Sequence, residues 1–138
     1  ILDFPDFYAQ HTNVEPSELE SLLTRSDIIT LHVPLNDTTK NILSAERLAL
    51  LKPTSILINT ARGGLVDESA LKKILKEKLI AAAAFDVFAV EPPEDIELLS
   101  LPNFLVTPHI GGSAHEAILS MGRAAINGLD KNKIPDID

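Results

Sequence analysis

Ionisable side chains recur just after the apolar segments of this sequence, where the strands of a parallel sheet would end. Arg62 follows one apolar segment, Asp86 and Glu91 follow the next, and His109 follows the last. Because the carboxyl ends of parallel strands meet at one edge of a sheet, we expect these four side chains to gather there. An imidazole and a carboxylate can transfer a proton, and a guanidinium can bind an anion. Each residue alone is more often structural, but the combination predicts a functional site.

Paired glycines occur in the same segments. Gly63-Gly64 and Gly111-Gly112 leave the backbone without side chains where a ligand could approach. A metal site is not expected, because the chain has no Cys and its four His residues form no His-x-x-x-His pair. His11 and His115 are assigned no role. A Ser–His hydrolase is a weak alternative, because no Gly-x-Ser-x-Gly turn is present.

Four apolar segments supply the strands that would position these residues. They cover residues 28–33, 55–60, 81–87 and 104–107. The first, second and fourth do not alternate with polar residues, a pattern typical of strands buried on both faces of a parallel sheet. The alanine-rich third segment is the weakest strand former. Residues 1–4 are interpreted as the remnant of an earlier strand.

Predicted helices separate the strands. Their boundaries are Pro16 in the first turn of the first helix, Ser44 and Asp67 as N-caps of the second and third, a capping box of Ser113 and Glu116 on the last, and Gly128 at its end. A loosely ordered tail is expected over 130–138. The alternation of strands and helices predicts an α/β fold with a doubly wound parallel sheet.

Composition narrows the classes of partner. The chain has 138 residues, of which 45% are hydrophobic and 23% charged, so it can bury a core. Its net charge of −8 disfavours binding to nucleic acid or to an anionic membrane surface. No apolar run approaches the roughly 18 residues of a membrane-spanning helix. The absence of Cys is typical of a reducing compartment, and we expect a cytoplasmic protein.

Four motifs carry a resemblance to a known family. They are SDIITLHVPL at 26–35, LKP at 51–53 with INTARGGLVD at 58–67, FDVF at 85–88 with EP at 91–92, and TPHIGG at 107–112. With these motifs the chain resembles the nicotinamide-cofactor domain of the D-isomer-specific 2-hydroxyacid dehydrogenases. The resemblance implies a Rossmann-like fold and hydride transfer between NAD(H) and a small 2-hydroxy or 2-oxo acid.

The resemblance also implies a catalytic set of Arg62, Glu91 and His109. His109 would be the general acid and base for the substrate hydroxyl. Glu91 would bond the far ring nitrogen of His109 and stabilise its imidazolium form. Arg62 would bind the substrate carboxylate and polarise the 2-oxo group.

Cofactor contacts are implied on several strand ends. Asp86 would bond the nicotinamide carboxamide, and the remaining residues assigned to the cofactor are His32, Val33, Pro34, Thr60, Ala61, Arg62, His109, Gly111 and Gly112. Either Asp3 or Asp6 would bind the adenosine ribose, with no cation nearby, which favours NAD without excluding NADP.

The family pattern is incomplete here, because no G-x-G-x-x-G turn occurs in the sequence. We therefore interpret 1–112 as a partial dinucleotide-binding domain, truncated at its N-terminal end and lacking the first strand, the glycine-rich turn and its helix. Residues 113–138 would be a helix and tail that in the family pack toward the substrate domain. The chain is expected to be an inactive fragment of a homodimeric parent enzyme. A corepressor-like module that senses the cofactor and an inert structural fragment remain alternatives.

Overall fold

A computed structural model describes residue 11 and residues 13–131, with the side chains of 130 and 131 left aside. The chain alternates helices and strands from the first described element to the last. In order, these are α1 (Leu19–Arg25), β1 (Ile28–Leu31), α2 (Ala45–Leu48), β2 (Ile56–Asn59), α3 (Glu68–Lys76), β3 (Ala82–Phe85), α4 (Ile96–Leu99), β4 (Phe104–Val106) and α5 (His115–Lys131). The interpretations of residues 1–6 and of the end of the tail lie outside the described residues.

The four strands form one parallel sheet in the order β1-β2-β3-β4. Ile28 pairs with Ile56 and Ile56 with Ala82, so the first three strands begin in register. Ala83 pairs with Phe104, which brings in the shortest strand. The predicted α/β fold with a Rossmann-like parallel sheet is thereby confirmed, including its weakest strand.

Only one face of this sheet is buried by the described residues. Burial alternates along the strands: Ile29, Leu57, Ala83 and Phe104 are buried, whereas Ile28 is 63% exposed. The expectation that the strands are buried on both faces is therefore wrong for the described chain. Since the strands are added in one direction and parallel crossovers are right-handed, the connecting helices all lie on the same face. The described residues leave the opposite, apolar face uncovered.

The core lies between the covered face and helices α1 to α4. Each of these helices contributes fully buried leucines, namely Leu23, Leu48, Leu71, Leu75 and Leu98. Three rings, Phe85, Phe88 and Phe104, pack together with centroids 5.4–6.2 Å apart. The rings lie beneath the loop that follows β3, so the core extends to the edge that carries the candidate site.

The N-terminal caps of the shorter helices are only partly as predicted. Asp67 caps α3, because its Oδ1 accepts a hydrogen bond of 3.0 Å from the Ala70 N–H. Ser44 occupies the cap position of α2, but its hydroxyl bonds the Glu46 carboxylate at 2.6 Å instead of a backbone amide. Pro16 precedes α1, which begins at Leu19, so its predicted place in the first turn is wrong. Helix α4, capped by Asp95, was not predicted, since four residues carry no readable period.

The last helix differs from its prediction at both ends. α5 begins at His115, so Ser113 stands too early to form the predicted capping box. It continues through Gly128 to Lys131, because a glycine inside an exposed helix costs only about 1 kcal/mol. Ile118, Met121 and Leu129 project into solvent from this helix. Across residues 11 and 13–131, none of the helices combines the length and the apolar character needed to span a membrane.

Candidate active site

The carboxyl ends of the four strands open into loops that carry the predicted catalytic and cofactor residues, apart from Asp3 and Asp6, which lie outside the described residues. β1 leads into His32, Val33 and Pro34, and β2 leads into Thr60, Ala61 and Arg62. Asp86 and Glu91 follow β3, and His109, Gly111 and Gly112 follow β4. Parallel pairing of the strands places all of these loops on one edge of the sheet.

Glu91 and His109 form a directly bonded pair at this edge. The Glu91 Oε2 lies 2.7 Å from the His109 Nδ1, which confirms the hydrogen bond predicted between these side chains. The other oxygen, Oε1, accepts a bond of 3.0 Å from the Phe88 N–H. The bond to His109, and then the bond from Phe88, lower the pKa of Glu91. Glu91 is therefore ionised near neutral pH and fixed at both of its oxygens.

The loop that carries His109 is held by Asp86. This carboxylate is 5% exposed and accepts hydrogen bonds from the Thr107 hydroxyl, the Ile110 N–H and the Gly111 N–H, at 2.5, 2.9 and 2.9 Å. Burial acts to raise the pKa of Asp86, but these three bonds together lower it. His109 has a positive φ of 53°, a conformation that a non-glycine residue adopts only where its surroundings impose it. Asp86 thus shapes the imidazole loop.

Asn59 organises the loop of Arg62 in a similar way. Its side chain is buried, accepts from the Ala61 N–H at 3.1 Å and donates to the Arg62 carbonyl at 2.9 Å. The Arg62 side chain is exposed, and its Nη1 donates to the Ala61 carbonyl at 2.7 Å. Asn59 was not predicted as a site residue. Its position could have indicated this role. An amide side chain at the end of an apolar strand is buried, and a buried polar group needs hydrogen-bond partners.

The Arg62 and Glu91 loops touch through their backbones at Gly63. A Cβ atom on Gly63 would lie 1.8 Å from the Phe88 carbonyl oxygen and 2.5 Å from the Ala89 nitrogen. Only glycine allows this approach. The contact ties the segment after β2 to the segment after β3, so the positions of Arg62 and Glu91 are linked.

Gly111 is also explained by a close contact. A Cβ there would lie 3.0 Å from the Asp86 Oδ2, the same oxygen that its amide bonds. Gly112, in contrast, has no heavy atom within 4 Å of such a position. In the described structure Gly111 serves the Asp86 contact, and Gly112 is the bare glycine that a ligand could approach.

An apolar cavity of about 430 Å³ lies beside β1, opposite the Glu91–His109 end of the sheet edge. His32 and Val33 line it together with Leu19, Leu31 and Ile42. The His32 Nε2 lies 3.0 Å from the Thr30 hydroxyl. An apolar cleft at a strand terminus suits a planar ring such as adenine, so these residues fit a dinucleotide cofactor.

A second cavity adjoins the bonded pair. It measures about 480 Å³ and is lined by Asp86, Glu91 and His109 and by apolar side chains, namely Phe88, Pro92, Pro93, Leu99, Val106 and Pro108. Apolar walls reduce the screening of the charges on the Glu91–His109 pair. No group of three His, Asp or Glu side chains that could hold a metal ion occurs among the residues that the structure describes.

A parallel sheet with a bonded imidazole–carboxylate pair and an apolar cleft at the carboxyl edge defines a dinucleotide-binding α/β domain. Residues 5–111 match the family described as D-isomer specific 2-hydroxyacid dehydrogenase, NAD binding domain. The chain belongs to this family.

Relatives of known name cover most of this chain. A glycerate dehydrogenase of Methylorubrum extorquens is 49% identical over 116 residues, which are 82% of this chain and 37% of that protein. A D-3-phosphoglycerate dehydrogenase of Methanocaldococcus jannaschii is 45% identical over 128 residues, or 92% and 24% of the two chains. A solved acyclic imino acid reductase, in complex with NADPH and D-Arg, superposes with a TM-score of 0.80 and is 34% identical in sequence. The match covers 85% of this chain and 38% of the reductase chain. This chain thus spans well under half of each.

Proposed function

We propose that this chain forms the catalytic edge of an oxidoreductase that transfers a hydride between NAD(H) and C2 of a D-2-hydroxy or 2-oxo acid. The single observation that carries the proposal is the Glu91–His109 hydrogen bond of 2.7 Å at the carboxyl edge of the sheet. The family of the chain and the names of its relatives agree with this chemistry.

His109 moves the substrate proton in this proposal. Because the ionised Glu91 accepts the Nδ1–H, that proton stays in place and Nε2 is the ring atom that exchanges a proton with the substrate. In oxidation, neutral His109 takes the hydroxyl proton while the hydride leaves C2, and Glu91 stabilises the resulting imidazolium. In reduction, the protonated ring returns the proton to the oxygen.

Arg62 binds and orients the substrate. Its guanidinium is exposed at the end of β2, and its planar donors match a carboxylate and the neighbouring 2-oxo group. Asn59 fixes the backbone on either side of it through Ala61 and Arg62. This support reduces the freedom that the arginine would lose on binding.

The chain's own residues would hold the cofactor at both ends of the edge. When bound, a nicotinamide nucleotide supplies the hydride acceptor or donor. His32, Val33 and Pro34 would line the adenine side, and Thr60, Ala61 and Gly112 the nicotinamide side. Asp86 would add a negative charge near the oxidised ring, although both of its oxygens already accept hydrogen bonds. NADP(H) would occupy the same site as NAD(H).

We further propose that the parent protein is a cytoplasmic homodimer and that this isolated chain has little activity. The absence of cysteine supports the compartment. The exposed apolar side chains of α5 support a partner surface on this part of the chain. The relatives are more than twice as long, which supports the low activity of the chain alone.

The test is a chimera in which this chain replaces the matching segment of the Methylorubrum glycerate dehydrogenase. Reduction of 2-oxo acids is followed by the oxidation of NADH and, separately, NADPH. We expect His109→Gln to lower kcat/KM by roughly a hundredfold or more, since general acid–base groups contribute about that much. His115→Gln, on the exposed start of α5, is the matched control and should leave the rate unchanged. An active chimera that tolerates His109→Gln would contradict the proposal.

A further inference from the structure

Glu68 bonds a backbone amide outside its own helix. It is the first residue of α3, half-buried, and its Oε1 accepts a hydrogen bond of 2.8 Å from the Ala89 N–H. Asp67 already caps the same helix through the Ala70 N–H. The Glu68 carboxylate is therefore directed at the loop after β3 and does not serve its own helix.

The peptide that Glu68 binds is held from several sides. The Phe88–Ala89 peptide lies directly against the Cα of Gly63, where no side chain would fit. The Phe88 ring packs with Phe85 and Phe104 in the core, at centroid distances of 6.1 and 6.2 Å. Glu68 supplies the polar contact on the remaining Ala89 N–H. Together these contacts determine where the Phe88 N–H points.

The Phe88 N–H in turn holds Glu91. It donates to the Glu91 Oε1 at 3.0 Å, which leaves Oε2 for His109 at 2.7 Å. A series of contacts thus runs from Glu68 through the Ala89 N–H and the adjoining backbone of Phe88 to Glu91 and the imidazole. Glu91 lies on an exposed loop. This series of contacts therefore restricts the position of its carboxylate.

No ion pair accounts for the placement of Glu68 within residues 13–129. Lys72, one helical turn along, pairs with Asp95 at 2.7 Å and Glu97 at 3.4 Å. Burial, with smaller contributions from Asp95 and Asp67, raises the pKa of Glu68 against the lowering effect of the Ala89 N–H. A half-buried carboxylate beside two other acids is unfavourable in itself, so its bond to the loop is the gain that offsets this placement.

We propose that Glu68 is a positioning residue that acts through the Ala89 N–H and the adjoining backbone of Phe88 to hold Glu91 in bonding distance of His109. The inference rests on the proposed function, because it supports the same imidazole–carboxylate pair.

The test measures the loop directly in the ligand-free chain, by amide hydrogen exchange and by ¹³C NMR titration of the Glu91 carboxyl. In Glu68→Ala we expect the Phe88 and Ala89 amides to exchange roughly tenfold faster, as the local opening becomes easier. The pKa of Glu91 should rise toward its ordinary value, because its two bonds are made less often. Glu68→Asp, whose shorter side chain cannot reach Ala89, should change both in the same direction and serves if the alanine variant does not fold.

Two controls separate positioning from a general effect on the helix. Glu68→Gln removes the charge at the start of α3 but keeps an acceptor for the Ala89 N–H, so both readouts should stay near the wild-type values. Glu116→Ala removes a first-turn acid from α5 and should change neither. If Glu68→Gln perturbs the loop as much as Glu68→Ala, helix charge explains the effect and the inference is overturned.

The outcomes also distinguish the inference from the proposed function. A wild-type Glu91 with a lowered pKa that does not respond to Glu68→Ala overturns the positioning role and leaves the acid–base pair intact. A wild-type Glu91 with an ordinary pKa contradicts the pair itself, and the positioning role falls with it.

Discussion

Arg62, Asp86, Glu91 and His109 lie at the same sheet edge, but the structure gives them different degrees of support. Asp86 is buried and saturated with hydrogen bonds, and Glu91 is held at both oxygens. Arg62 is exposed, and its guanidinium bonds only the neighbouring Ala61 carbonyl among the described contacts. The Glu91–His109 bond is thus already formed, whereas most donors of the Arg62 guanidinium make no described bond.

Arg62→Lys should lower kcat/KM in the chimera by roughly 30- to 1000-fold, equivalent to about 2–4 kcal/mol. Charge is retained in this variant, so the loss reports the lost bidentate geometry. Steady-state kinetics measure the effect, and a thermal melt confirms that the variant folds. An exposed arginine with only a structural role would change the rate little, since such pairs contribute about 0–1 kcal/mol.

Asp86→Asn should destabilise the fold by about 1–3 kcal/mol near neutral pH. The new side-chain N–H₂ is a donor, and it would face a backbone N–H that donates a hydrogen bond to the carboxylate in the wild type. The pKa of Asp86 is lowered in the folded chain, so its stabilising effect is present above the ordinary Asp pKa of 3.8 and is lost as pH falls through the folded value. The difference between the variant and the wild type should therefore shrink in urea titrations at about pH 3.

Asp37→Asn, at an exposed position, is the matched control for this experiment. It should change the free energy of unfolding by less than about 0.5 kcal/mol at either pH. A penalty for Asp86→Asn that grows on acidification would contradict the interpretation of Asp86 as an ionised acceptor.

At the scale of the elements, the loops after β2 and β3 form one unit. Gly63 brings their backbones into contact, and Glu68, at the start of the helix between them, bonds the second loop. Helix α3 is also fastened to α4 by ion pairs from Lys72 to Asp95 and from Lys76 to Glu97. The loop that carries Glu91 is therefore bounded by packed secondary structure on both sides.

Gly63→Ala should be strongly destabilising, by roughly 2–4 kcal/mol, because the added methyl would overlap the backbone of Phe88 and Ala89. A change of side-chain rotamer cannot relieve the overlap, because the Phe88 and Ala89 atoms that the methyl would contact belong to the main chain. Chemical denaturation measures the loss. Gly112→Ala is the control, with open space around its Cα, and should stay within about 0.5 kcal/mol of the wild type.

At the scale of the whole molecule, the sheet face that the described residues leave uncovered is the main departure from a complete doubly wound fold. Ile28 and Leu105 are more than 60% exposed on it, at 63% and 67%. Parallel sheets are normally covered on both faces, and their strands therefore carry apolar side chains on both. This explains the apolar side chains on the exposed face. The family's nucleotide-binding turn is likewise absent from the sequence.

We expect the isolated chain to bind NADH with a dissociation constant weaker than about 100 µM. The G-x-G-x-x-G turn, which leads into the helix N-terminus that gives the pyrophosphate its backbone donors, does not occur in this sequence. In addition, the net charge of −8 repels an anion. Fluorescence titration or calorimetry measures the constant. The imino acid reductase solved with NADPH is the positive control for a parallel NADPH titration. Low-micromolar binding of NADH by the monomeric chain would contradict this expectation.

The family resemblance implied the bond between Glu91 and His109, whereas the apolar runs by themselves predicted the parallel α/β fold and the edge on which the ionisable residues lie. These follow from local signals: apolar runs that end in ionisable residues must deliver them to the same edge once the strands are parallel. The Asp67 cap is local in the same way, because it depends on a side chain and an amide three residues apart.

Tertiary structure decided what depends on contacts between distant segments. The strands read as buried on both faces, but composition cannot show which neighbour covers a face, and here one face has none among the described residues. Glu68 gained its contact only from the loop that packing brought to it. The physical reason is that a run of side chains encodes its own burial preference and period, whereas a hydrogen bond across 21 residues exists only after the core has set the distance between its partners.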